Sequence, residues 1–257
     1  MLRKLLIGLT GVATLAFAGA ANAVTPTYVS YLEYKNSDPN TPAATPFGKV
    51  TLTEIAPNKV DVLVSLFSPQ IGFVNTGNAN KSPFTFNLTG DYDVAVYNPL
   101  AGQEFADGGF GSFQNNNFGL YTNKIDCCGG AQGGGAYDPT DLHFVVTNLS
   151  GTLTFAGVGA TFDDDGRLLT EGTGPRFLST VETNKVNNKG KVTGTYPGGF
   201  WFAADVVTNT GETFDVAARD AYSPIKPPVP EPASWALMIT GFGAAGTMLR
   251  RRRAVLA

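Results

Sequence analysis

The 257-residue chain is 43% hydrophobic but only 15% charged, with a single histidine and two cysteines. One histidine excludes a metal site built from several histidines within one chain. The formal charge of −3 hides an asymmetry. Setting aside Arg3, Lys4 and the four arginines at 250–253 leaves 12 Lys plus Arg against 21 Asp plus Glu, a balance of −9, which argues against nucleic acid or an anionic membrane surface as a partner.

The N-terminus reads as an export signal. Arg3 and Lys4 give a positive start, Leu5 to Ala18 an apolar stretch, and Ala21-Asn22-Ala23 the small-x-small pattern cut by signal peptidase. Residues 1–23 are therefore expected to be a signal peptide and Val24 the first mature residue. The next span, 24–222, is long enough for one β-rich extracellular domain with a substantial core.

Composition and period within that span predict an all-β fold, an antiparallel sandwich or jelly roll. Glycine, threonine, valine, phenylalanine and asparagine are abundant, and no stretch has the period of an amphipathic helix. Alternation is clearest at Val60, Val62, Val64 and Leu66. Further strands are predicted over Tyr28 to Tyr34, Lys49 to Ile55, Phe84 to Thr89 and Tyr92 to Tyr97, then Leu142 to Leu149 and Thr152 to Phe155. Phe200 to Thr208 and Thr213 to Ala217 complete the set. Turn signals such as Pro57-Asn58, Thr89-Gly90-Asp91 and Asn209-Thr210-Gly211 separate them. Residues 101–136, rich in Gly, Asn and Gln, read as a long loop or set of loops holding at most a short strand near Phe118 to Tyr121.

Chemistry-bearing residues are sparse. Cys127 and Cys128 are adjacent, and an oxidising destination favours a disulfide between them; free thiols or a bond to another chain are the alternatives. His143 lies in the strand-like Leu142 to Val146 and reads as an ordinary strand side chain facing solvent or a polar partner. Asp163-Asp164-Asp165-Gly166 has the composition of a calcium-loop fragment, with Asp163 and Asp165 as the weak ligand candidates. It lacks the alternating spacing and closing glutamate of an EF-hand, so an acidic turn is the other reading. Thr51, Thr53, Thr152, Thr154, Thr193 and Thr195 alternate on strand faces, as arrays suited to ice or sugar do, but the three instances share no fixed period and ordinary strand propensity explains them. Paired carboxylates for a secreted hydrolase have no local motif, and catalytic residues and cofactors are expected to be absent.

The C-terminus is organised as a device. Residues 223–228 form a proline-rich linker favouring extended polyproline II, which holds the C-terminal segment clear of the domain. Next come Val229-Pro230-Glu231-Pro232, an uncharged span over 233–249 and Arg250, Arg251, Arg252 and Arg253. Seventeen residues at helical rise cover about 25 Å, at the lower edge of a single transmembrane helix. The arginines resist translocation and set the topology, leaving the domain outside the inner membrane.

Pro230-Glu231-Pro232, followed by Ala233-Ser234, Trp235-Ala236, Gly241-Phe242-Gly243 and the arginine run, resembles the PEPxxWA variant of the PEP-CTERM sorting domain. The resemblance covers 229–253 and implies an exosortase substrate of a Gram-negative bacterium. Pro230, Glu231, Pro232, Trp235 and Ala236 would be the recognised positions, with cleavage near Pro-Glu-Pro and delivery to the cell surface or beyond. Family association with extracellular polysaccharide further implies a structural or adhesive matrix protein in biofilm. A carbohydrate-, calcium- or ice-binding module is the first alternative, and a secreted hydrolase the second.

Overall fold

A computed structural model describes residues 25–74, 82–97, 105–115, 117–128, 138–186, 189 and 191–220. The described chain is all-β. Its strands are β1 (Thr27–Leu32), β2 (Tyr34–Lys35), β3 (Asp38–Pro42), β4 (Gly48–Ala56), β5 (Lys59–Leu66), β6 (Ile71–Phe73), β7 (Phe84–Leu88), β8 (Tyr92–Tyr97) and β9 (Ala106–Gln114). They continue with β10 (Leu120–Asp126), β11 (Leu142–Asn148), β12 (Thr161–Phe162), β13 (Leu168–Thr170), β14 (Phe177–Leu178), β15 (Thr183–Val186), β16 (Val192–Tyr196), β17 (Phe202–Thr208) and β18 (Thr213–Ala218). Among the described residues, no helix is long and apolar enough to cross a membrane.

Two antiparallel sheets carry the fold. One has five strands in the order β1-β4-β5-β11-β8; the other has nine, with the path β3-β2-β18-β17-β7-β10-β9 and β14 and β6 pairing onto β7 and β17. The sheets face each other across one apolar core. Alternation aims Val60, Val62 and Val64 of β5 and Phe144 of β11 inward, to meet Phe84 and Phe86 of β7 and Phe202 of β17. Ring contacts knit the layers, with Phe144 5.2 Å from Phe86 and 6.0 Å from Phe84, while within the nine-stranded sheet Phe84 stacks at 5.8 Å on Phe202. Burying the side chains of this core supplies the main favourable term for folding.

The far side of the nine-stranded sheet is also covered. Tyr34, Phe118, Tyr121, Phe200, Ala203 and Ala217 form a second buried cluster there. Thr180 ties its cover down, donating from Oγ1 to the Phe118 carbonyl and accepting the Phe200 N–H. The far side of the five-stranded sheet carries half-buried and exposed residues instead, apart from the buried Val145. Among the described residues it is the broad regular face left to solvent.

The described part of the 101–136 segment carries more strand than the loops and short strand near Phe118 to Tyr121 expected of it. β9 and β10 pair antiparallel within it, from Leu120 with Gln114 to Asp126 with Ala106, across two register shifts. Thr152 to Phe155, expected as a strand, is irregular and makes a single bridge from Thr154 to Arg176. The turns at Gly90 and Gly211 have φ of 108° and 89°, the conformations for which glycine is the ready residue.

One carboxylate is drawn into the core's edge. The Oε1 atom of Glu54 accepts the Phe155 N–H at 2.9 Å, and the Tyr28 hydroxyl also bonds this side chain. Burial raises the Glu54 carboxyl above its ordinary value, while those two hydrogen bonds pull it back. Burial, reinforced by the Glu54 charge, pushes Tyr28 up to about 12. Glu33 is raised too, by burial and then by Asp220. Between the ordinary and the raised carboxyl values the folded state holds more protons than the unfolded chain. Stability from these groups is therefore complete below the ordinary value and is lost as pH rises through the raised one. Glu54→Gln is expected to flatten the fall of Tm from acid towards neutral pH in thermal denaturation; an equally steep fall in the variant would refute this assignment.

Candidate functional site

Registers across the five-stranded sheet align its outer residues into rows. Val29, Thr51, Leu63, His143 and Tyr97 form one, from β1 to β8. Thr27, Thr53, Asp61, Val145 and Ala95 form the next. Asp61 is thus a diagonal neighbour of His143, a pairing that cross-strand geometry permits. Its Oδ1 lies 2.7 Å from His143 Nε2. On the other side, the Tyr97 ring stacks on the imidazole at 4.9 Å and 27°. Tyr97 stands on an edge strand and is 47% exposed. The sole histidine is thereby fixed between a carboxylate and an aromatic ring on a solvent-facing sheet.

Cys127 and Cys128, which come directly after β10, are joined in a disulfide. Both are buried members of the main core, although they border a glycine-rich stretch. Cys128 has φ of 56°, the left-handed conformation that side chains rarely adopt. Its sulfur lies 3.7 Å from the Phe73 carbonyl, while Phe73 and Asp138 exchange backbone hydrogen bonds of 2.7 and 3.2 Å. The two flanks of residues 129–137 therefore both attach to Phe73.

At the β12–β13 connection, Asp163 Oδ1 accepts the N–H groups of Asp165 at 3.0 Å and Arg167 at 2.8 Å. This carboxylate organises the turn. Glu171 pairs with Arg176 at 3.4 Å. Among the described residues no group of three or more His, Cys, Asp or Glu side chains could hold a metal ion. Thr51 and Thr53 lie on the outer face of the five-stranded sheet, and Thr193 and Thr195 on β16. Phe200, Trp201 and Phe202 are all buried, Phe200 in the second cluster and the other two in the main core.

The end of the domain is fastened. Asp220 pairs with Arg167 at 2.6 Å, and its carbonyl accepts the Ser30 hydroxyl at 2.5 Å. Arg219 lies over the rings of Phe200 and Tyr34. Ala21, Ala23 and Val24 at one end, and Pro230, Glu231, Pro232, Trp235, Ala236 and Arg250 to Arg253 at the other, lie outside the described residues.

No curated protein and no solved structure matches the chain. The profile of the PEP-CTERM protein-sorting motif matches residues 228–253, beginning eight positions past the Asp220 fastening. That motif implies export and exosortase-dependent placement at the surface. Residues 228–253 are a PEP-CTERM protein-sorting motif, and they mark the chain as an exported protein addressed to an exosortase.

Proposed function

We propose that this protein is a structural or adhesive component of the extracellular matrix, delivered there by exosortase processing. In this reading, residues 1–23 direct export and signal peptidase cuts before Val24. The apolar span 233–249 then holds the chain in the inner membrane, stopped by Arg250 to Arg253. Exosortase acts near Pro230-Glu231-Pro232 and the β domain passes to the surface, where exopolysaccharide is its surroundings.

The observation that carries the reading is the sorting motif placed directly after an all-β domain. A disulfide suited to an oxidising destination supports it. The role assigns no catalytic residue and needs no cofactor. Its test is fractionation of cells bearing the native gene into soluble, membrane and matrix material. The domain is expected in the matrix fraction with a C-terminus short of Ala257, as read by mass spectrometry. Recovery only in free medium would overturn the matrix role.

A further inference from the structure

We propose that the outer face of the five-stranded sheet is a binding platform for an uncharged polysaccharide chain, with Tyr97, His143 and Asp61 as its centre. The proposal rests on the matrix reading and names what the domain would hold there.

The first support is chemical. A sugar ring presents an apolar C–H face and a rim of hydroxyls, so it is recognised by an aromatic surface with fixed donors and acceptors beside it. Tyr97 has one ring face against the imidazole and remains 47% exposed. Its open side is available for stacking. With the imidazole neutral, Nε2–H donates to Asp61 Oδ1, which leaves His143 Nδ1 and Asp61 Oδ2 to accept hydroxyl protons. Because the three side chains already hold one another in place, little ordering entropy remains to be lost on binding.

The second support is electrostatic. The face carries Lys49, Lys59, Asp61 and Asp93 together with His143, so its formal charges cancel. The mature chain as a whole is strongly acidic. A charge-balanced face on an acidic domain matches an uncharged ligand and offers no field to attract an acidic one.

The third is shape. Five adjacent strands place the Val29–Tyr97 row across about 19 Å of sheet. That is room for linked rings rather than a single sugar. Threonines 51 and 53 continue the polar surface along it.

The full chain, solubilised in a neutral detergent, would be run in native gels containing hydroxyethyl cellulose, dextran or alginate. Retardation by a neutral polymer is expected. Tyr97→Ala should weaken it about tenfold, the scale of one lost aromatic stack, and Asp61→Asn should weaken it also. Tyr97→Phe should retain binding, as should Phe110→Ala on β9, a strand of the other sheet. Thermal denaturation should show all four variants folded. Failure of both neutral polymers to retard the protein would overturn the proposal, as would retardation by alginate alone or undiminished binding by folded Tyr97→Ala. The matrix reading is judged separately, by whether the native protein fractionates with the matrix. Matrix association that survives Tyr97→Ala would leave that reading standing while removing this face as its cause.

Discussion

Replacing Pro230, Glu231 and Pro232 together with alanine is expected to leave export intact and to convert the processed surface protein into a full-length, membrane-bound form. The three residues lie within the matched motif. Prolines favour an extended backbone and disfavour a helix interior, and an extended segment is what a protease binds. Three alanines would remove that restraint. Glu231 is the sole charge between Pro227 and Leu249, and its removal erases the one ionic feature of the neutral segment. Immunoblots of membrane and surface fractions would report nearly complete redistribution. Normal processing of the triple variant would show that exosortase recognition does not use these positions.

Phe86→Ala is expected to cost roughly 3–5 kcal/mol, the range for deleting a buried phenylalanine. The side chain is fully buried on central β7, with Phe144 at 5.2 Å and Phe84 and Phe177 each at 6.0 Å. These rings come from both sheets and from the β14 segment, so a cavity there loosens contacts that join the layers. Against a total stability of about 5–15 kcal/mol, such a loss leaves little reserve. Urea denaturation of the two proteins would measure it. Phe110, 73% exposed on β9, is the control, and its alanine variant should fall within about 0.5 kcal/mol of the parent. Comparable losses at both positions would mean that the core is not organised around Phe86.

Much of the sheet framework was legible, by two different signals. Val60, Val62 and Val64 announce β5 by period-two alternation, and 92–97 alternates likewise, whereas 84–88 and 202–208 are buried on both faces and read as short apolar runs rich in strand-favouring residues. β9 was illegible for the opposite reason. Its Ala-Asp-Gly-Gly-Phe-Gly-Ser-Phe-Gln has weak strand propensity and is held by the ladder to β10 rather than by its own preferences. β3, with two prolines, is an edge strand that local rules would discard. The adjacency of Cys127 and Cys128 made their pairing a candidate, but their place in the core and the approach of Cys128 to Phe73, distant in sequence, could not be read from it. The Asp61–His143–Tyr97 arrangement was likewise hidden. It depends on the registers of three strands, and Asp61 and His143 are 82 positions apart.

The fastening at Asp220 bears on how the domain would carry a pull. A force applied through the C-terminal segment first meets the Arg167 pair and the Ser30 hydrogen bond. It then runs along β18, an interior strand flanked by β2 and β17. Residues 213–218 are registered against 202–207, with hydrogen bonds lying across the strand direction. A lengthwise tug therefore strains that ladder in shear, many bonds together, instead of peeling it open one bond at a time. Ser30 belongs to β1, at the edge of the opposite sheet, so part of the tension is shared between the two layers at the point of entry.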